Sequence, residues 1–364
     1  MSLMDRMKKQ IVACDAVLPV TRGIMSLMDR MKKQSTIEIS GSLEDSEIFG
    51  ERQVIPTEIP ILNIALQGRL DGGLTSGVTQ IAGPSKHFKS MIALFMMRSF
   101  QKKYDDGAVL FYDSEFGTPK GYFKSFGIDM DRVLHSPIVD VEQLKHDIMV
   151  QLKEFKRGEK VLIVIDSLGQ LASSKEVDDA IEGKSVADMT RAKSIKSLFR
   201  MVTPHLRIKD IPLIVINHTY KEIGMYPKDI VGGGTGSYFA ADTIWIIGRQ
   251  QEKVEGEVAG YNFVLNVEKS RYVREKSKFS LTVMFEGGIE THSGLLELAL
   301  EGGFVTKPSP GWYVKKGTPN KVRESETKTE SFWKDILKDG AFNEFIRKKC
   351  EVAYGDIIEV KEEE

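Results

Sequence analysis

Cysteine is nearly missing from this chain. Cys14 and Cys350 are the only two in 364 residues, and they form no disulfide or metal-ligand pattern. That excludes a disulfide-stapled scaffold and makes a reducing cytoplasm the expected compartment. Net charge is lacking too: 51 Lys and Arg against 52 Asp and Glu leave −1. A nucleic-acid site would therefore have to come from local basic patches. No apolar stretch approaches the ~18 residues that span a bilayer, so no membrane partner is expected. The segment IVACDAVLPV is broken by Asp15 and has no convincing cleavage site after it, which argues against a signal peptide. What remains, 41% hydrophobic and 28% charged, is the composition of a soluble globular protein of one large or two modest domains.

The decapeptide MSLMDRMKKQ occurs at residues 1–10 and again at 25–34. A perfect copy with no further period is not a solenoid repeat. An upstream start or a duplication explains it, with Met25 as the functional beginning, so residues 1–24 are set aside as a non-native or duplicated extension. In the second copy Met25, Met28 and Met31 share a helical face, with Arg30, Lys32 and Lys33 on a basic side. Residues 25–55 are expected to form an oligomerisation helix followed by a polar, Gly/Ser-punctuated linker.

The most informative stretch is VTQIAGPSKHFKS, ending at Ser90. An apolar run enters a turn at Gly83, and Lys89 and Ser90 open an apolar helix. Backbone N–H groups of such a loop surround phosphate oxygens, the Lys neutralises charge and the Ser hydroxyl holds Mg²⁺. The residues expected around the phosphates are Gly83, Pro84, Ser85, Lys86, His87, Phe88, Lys89, Ser90 and Met91. Phe88 stands where the general pattern has Gly, and a strand-to-helix turn without ligand fits the same letters. Two acidic strand ends further along the chain decide between the two. VLIVIDS ends its apolar run at Asp166, as a central parallel strand with an acid at its carboxyl end would. AVLFYDSEFG places Asp113 and Glu115 at the end of another strand. A carboxylate there can orient a water for attack on a γ-phosphate while Ser90 and Asp166 serve the metal. ATP and Mg²⁺ are the expected cofactors of a nucleotide hydrolase core.

Strands are expected near 108–112, 132–135, 161–165, 213–217, 243–248 and 261–267, with helices near 141–157 and 187–204 between them. That alternation predicts an α/β fold with a mostly parallel central sheet and helices on both faces, with antiparallel additions near 279–285. The core is expected over 56–305. Residues 306–364 read as a Lys/Pro/Gly-rich connector (307–329) and a small helical tail carrying Phe332, Trp333, Ile336, Phe342, Phe345 and Ile346. Two long polar loops leave strand ends on the nucleotide side. One follows Asp166 and carries Lys175 and Lys184. The other follows His218 and carries Lys221, Tyr226, Lys228, Gly232, Gly233 and Gly234. Charge, a stacking ring and adaptable glycines are the ingredients of single-strand binding, although a mobile surface loop has the same composition.

The motifs IPILNIALQG, GGLTSGVTQIAGPSKHFKS, LFYDSEFG, VLIVIDSLG, DMTRAKSIKSLFR, INHTY, GGGTG and LNVEKSR lie in order between Ile59 and about Trp312. Together they resemble the RecA family of homologous recombinases, most closely the phage UvsX-type proteins, whose phosphate loop carries the same Phe. The resemblance implies a RecA-like core that forms a helical filament on single-stranded DNA and uses ATP to pair it with homologous duplex DNA. It implies that Lys89 and Ser90 bind phosphate and Mg²⁺, Glu115 activates water, Asp166 assists the metal and Tyr122 stacks on adenine. It implies that His218, in place of a Gln, senses the γ-phosphate, and that Lys269 and Arg271 reach a neighbour's ATP site. The two polar loops correspond to the family's DNA-binding loops, and the acidic end 359–364 to a tail that competes with DNA. A single-strand-binding protein and a loader are the implied partners, in the cytoplasm of a phage-infected cell. A hexameric helicase motor shares this core but usually adds a primase-binding domain that is not visible here. A non-hydrolysing accessory filament would typically lose one of Lys89, Glu115 and Asp166.

Overall fold

The computed structural model describes residues 21–46, 48, 50, 52–184, 189–222, 227, 229–254 and 256–352. The chain divides into two units, Met1–Glu51 and Arg52–Glu364. In the first, a helix spans Thr21–Gln34 and ends on Lys32 and Lys33, cations placed where a helix carboxyl end favours them. It begins four residues before Met25, and Leu27 and Met31 are exposed. Turns follow it, with Lys32 paired to Asp45 at 3.6 Å.

Among its described residues the second unit carries fourteen strands: β1 (Gly77–Ala82), β2 (Ala108–Asp113), β3 (Val133–Pro137), β4 (Val161–Asp166), β5 (Pro212–Asn217), β6 (Thr219–Lys221), β7 (Asp229–Val231), β8 (Thr243–Val254), β9 (Glu257–Ser270), β10 (Lys278–Met284), β11 (Gly288–Ile289), β12 (Val305–Ser309), β13 (Trp312–Lys315) and β14 (Lys321–Arg323). Nine of them form one sheet in the order β11-β10-β9-β8-β1-β5-β4-β2-β3. From β3 to β8 the pairs are parallel, and from β8 to β11 they are antiparallel. The expected α/β architecture, with antiparallel additions at one edge, is what the chain adopts.

Strands β1, β4 and β5 are buried at every residue, which explains why their sequences are apolar without alternation. The two faces feed separate cores. Leu162 and Val164 join one cluster with Ile92, Met96 and Phe100 of the helix Lys89–Lys103. Ile163 and Ile165 join the other, with Leu144 and Ile148 of the helix Val141–Glu154 and Ile195, Leu198 and Leu206 of the helix Thr190–Lys209. Because these strands are parallel, their carboxyl ends open on one edge, bringing Gly83, Asp113, Asp166 and Asn217 to the same side.

Three local expectations need correction. The helix expected to stop at Pro204 continues to Lys209, because Leu206 is fully buried and Arg207 pairs with Asp242. Tertiary packing outweighs the one backbone donor that proline removes. The start expected at residue 187 lies outside the described residues. The loop after Asp166 is not structureless: Ser174–Ile181 is a helix whose cap, Ser173, accepts from the Glu176 N–H. The stretch 307–329 is no mere connector. Strands β12, β13 and β14 form a small antiparallel sheet with a turn at Gly311 (φ 73°). Helices Glu330–Lys338 and Gly340–Cys350 then bury Phe332, Trp333, Ile336, Phe342 and Ile346 against the main core. The acidic run 359–364 lies outside the described residues. Among the described residues no helix is long and apolar enough to cross a membrane.

Candidate nucleotide site and adjoining loops

The strand-to-helix turn at the head of the site runs from buried Gly83 through exposed Pro84, Ser85 and Lys86 to buried Lys89. Lys89 is buried and its Nζ donates to the Pro84 carbonyl at 2.8 Å. Burial lowers its pKa, while the nearby Glu115 and Asp166 carboxylates act to raise it. His87 Nδ1 lies 2.8 Å from the Ser85 carbonyl. Phe88 caps the helix in the left-handed region (φ 62°, ψ 14°) with no side-chain cap bond. For a residue with a Cβ this conformation costs roughly 1–2 kcal/mol. A stacked aromatic pair returns about 0.5–1.5 kcal/mol, and the Phe88 ring stacks on Phe263 of β9 at 4.9 Å and 18°.

Asp166 ends β4 and is 4% exposed. Its Oδ1 has no partner, and burial, opposed by the nearby Ser90 hydroxyl, pushes its pKa up to about 6. A buried carboxylate with an unpartnered oxygen beside a Ser hydroxyl is a hard oxygen pair suited to Mg²⁺, which takes one or two protein oxygens plus phosphates. Among the described residues no group of three His, Cys, Asp or Glu could form an all-protein cage. The donor set fits the ion the phosphate loop calls for.

Glu115 stands just beyond β2, held from three directions. Asp113 Oδ1 accepts from the Glu115 and Phe116 N–H groups at 3.1 and 2.8 Å, making the turn that aims the side chain. Glu115 Oε1 accepts from Ser167 Oγ at 2.5 Å and lies 2.6 Å from His218 Nε2. The His218 contact, with help from Ser167 and Lys89 and against burial, keeps the carboxyl below the usual glutamate range. It stays ionised, as a proton acceptor must.

His218 is also the way into the glycine segment. Its backbone carbonyl accepts from Gly232 N at 2.9 Å, and Asn217 Nδ2 donates to the Gly232 carbonyl at 2.8 Å. Gly233 and Gly234 take φ 84° and 72°, and Gly234 caps the helix Thr235–Ala240. Strands β6 and β7 form a hairpin between His218 and Gly232. Lys221 pairs with Asp229 at 2.8 Å, Lys175 with Asp179 and Lys184 with Glu182. Tyr226 and Lys228 lie outside the described residues.

Lys269 and Arg271 are not brought to this edge. Arg271 pairs with Asp242 at 2.5 Å, and Asp242 Oδ2 accepts from Val78 N at 2.9 Å, at the opening residues of β1. Lys269 Nζ donates to the carbonyls of Tyr238 and Phe239 at 2.8 and 3.1 Å. Strand β1 separates Arg271 from the phosphate loop by its full length, about 20 Å for six residues. Tyr122 is 47% exposed on the helix Lys120–Ser125, so it is not a core ring.

The sequence reading missed Ser167, the Gln170 amide 3.4 Å from His218 and the bridging role of Asn217. Ser167 and Asn217 directly adjoin Asp166 and His218, so adjacency at strand ends was the available signal. Nothing local marked Phe263, which stacks on Phe88, Arg249, which donates to the Lys86 carbonyl, or Asp242, which pairs with Arg271.

Two family models cover most of the chain. Residues 24–290 match the RecA N-terminal domain, and residues 292–346 match the C-terminal domain of the bacteriophage T4 recombination and repair protein. The chain belongs to the RecA family. It is 47% identical over 340 residues to the recombination and repair protein of Enterobacteria phage T4, covering 91% of this chain and 87% of that protein. Protein RecA of Streptomyces rimosus is 26% identical over 287 residues, with 78% and 73% covered. RecA of Bifidobacterium breve is 25% identical over 309 residues, with 83% and 74% covered. The chain is thus a recombinase of the strand-exchange family, whose members are nucleotide-binding ATPases that bind DNA and form filaments.

Proposed function

We propose that this chain is a DNA-dependent ATPase that polymerises on single-stranded DNA and exchanges it with homologous duplex DNA. The observation that carries the reading is the division of charges between two sheet edges. Lys89, Glu115 and Asp166 converge at the carboxyl ends of parallel strands, whereas Lys269 and Arg271 sit at the amino end of β1. An open head-to-tail assembly would bring one subunit's cations to the next subunit's phosphates, making hydrolysis depend on polymerisation.

Within a subunit, residues 83–91 hold the phosphates, Ser90 and Asp166 hold Mg²⁺, and Tyr122 offers a ring to adenine. Mg²⁺ supplies charge neutralisation on the phosphate oxygens. Glu115 accepts the proton of the attacking water, with Ser167 and His218 fixing its orientation. Because His218 bonds both Glu115 and Gly232, a change at the γ-phosphate is transmitted to the glycine segment. Residues 25–55 serve assembly, 56–305 form the motor and 306–364 an appended region. Lys175, Lys184, Lys221, Tyr226, Lys228 and the Gly232, Gly233 and Gly234 backbone serve DNA. A single-strand-binding protein and a loader are the proposed partners, in the cytoplasm of an infected cell.

The test is ATP hydrolysis across protein concentrations, with and without single-stranded DNA. A steep rise with both is expected. Turnover indifferent to DNA would indicate a different motor on this fold, and DNA binding without turnover an accessory filament.

Asp166 yields a separate expectation. Its pKa is raised from 3.8 to about 6 in the folded chain. Its stabilising contribution is therefore complete below pH 3.8 and is lost as pH rises through about 6. Asp166→Asn is expected to be more stable than the parent at pH 7.5, by up to about 3 kcal/mol. The difference should shrink toward pH 4, as read by urea unfolding without nucleotide. An equal or lower stability of the variant at pH 7.5 would contradict the assignment.

A further inference from the structure

The phosphate loop contains two left-handed residues that carry side chains, Lys86 (φ 61°) and Phe88 (φ 62°). Residues with a Cβ seldom hold this conformation unless their surroundings impose it. Here both are held by the antiparallel extension of the sheet. Phe88 lies flat on Phe263, which is 4% exposed and fixed in β9. Arg249 of β8 donates to the Lys86 carbonyl at 3.2 Å, and its guanidinium sits 4.8 Å from the centre of the Tyr261 ring. Tyr261 in turn packs beside Phe263, ring centres 6.0 Å apart. Phe88 is the residue from which the helix Lys89–Lys103 departs, so its backbone angles set where Lys89 and Ser90 begin.

We propose that Phe263 is a positioning residue for nucleotide phosphates: its ring clamps Phe88 in the left-handed conformation, doing by packing what a glycine would do by conformational freedom. Arg249 secures Lys86 in the same way. The inference rests on the nucleotide site proposed above and adds the physical means by which this loop keeps its shape. It also makes the need for Phe263 conditional. With glycine at position 88 there is no strained residue to hold, and the clamp becomes dispensable.

The experiment measures equilibrium binding of a fluorescent ATP analogue with Mg²⁺ to the full chain and to Phe263→Leu, Phe88→Gly and the double variant. Thermal unfolding is followed in parallel. Leucine keeps most of the buried volume, so Phe263→Leu should fold yet bind about tenfold more weakly. Phe88→Gly lies in the phosphate loop itself, so its own affinity is the reference against which the double variant is read. The double variant should match Phe88→Gly in binding while its melting temperature stays at or below that of Phe263→Leu. That recovery of binding without recovery of stability is what a merely structural Phe263 would not produce. Parental binding by Phe263→Leu, or a double variant that binds about tenfold more weakly than Phe88→Gly, would overturn the inference. Failure of the parent itself to bind nucleotide would overturn the proposed site instead.

Discussion

Glu115→Gln is expected to lower ATP turnover by about 10²–10⁴-fold, the usual contribution of a positioned general base, while nucleotide and DNA binding persist. The amide keeps the shape of the carboxylate, and its carbonyl oxygen can still accept from Ser167 Oγ, so the site should stay assembled. What disappears is the negative charge that His218, Ser167 and Lys89 together keep ionised. Steady-state hydrolysis with saturating single-stranded DNA reads the loss, and a DNA-binding titration reads what is kept. Hydrolysis at the parental rate would remove Glu115 from its assigned role.

The paired change Lys269→Ala with Arg271→Ala should be as damaging for a different reason. A cation supplied by a neighbour is worth roughly 10³–10⁵-fold in turnover where such residues act. A loss of DNA-stimulated hydrolysis on that scale is expected, with nucleotide binding by dilute protein unchanged. The fold should tolerate the substitutions. Arg207 still pairs with Asp242 when Arg271 is gone, so the buried carboxylate is not left alone. Lys269 leaves behind two backbone carbonyls, one of them beside the largely exposed Phe239. Mixing this variant with Glu115→Gln supplies each site with what the other lacks. Hydrolysis by the mixture above the sum of its parts would place the two sets on different subunits, and strict additivity would rule that out.

Much of the core could be read directly from the residues because its signals are local. A parallel strand buried on both faces must be apolar throughout, so VLIVID and PLIVIN announce themselves. A phosphate loop must follow one strand and open one helix, which brackets Gly83 to Ser90 within a single stretch. Errors came where packing overrode local preference. Pro204 reads as a stop, yet the helix passes through it because Leu206 has a core to enter. Lysines, prolines and glycines between 307 and 329 read as a connector. Their strands form because Val305 and Tyr313 bury against Phe304 and the C-terminal helices.

The sequence by itself determined the groups on offer: the strand-to-helix turn from Gly83 to Ser90, the acids that end β2 and β4, and the apolar runs of the buried strands. Each depends on residues that are neighbours in the chain. Only the tertiary structure decided how those groups are arranged. It set Ser167 and His218 against Glu115, placed Arg271 a strand's length from Lys89, and laid Phe263 beneath a left-handed Phe88. Those relations join residues from about fifty to about one hundred and eighty positions apart, as the numbering shows. They arise from the pairing of β2 with β4 and β4 with β5 around Glu115, and of β9 with β8 and β8 with β1 around Arg271 and Phe263, which sheet register fixes and local sequence does not record.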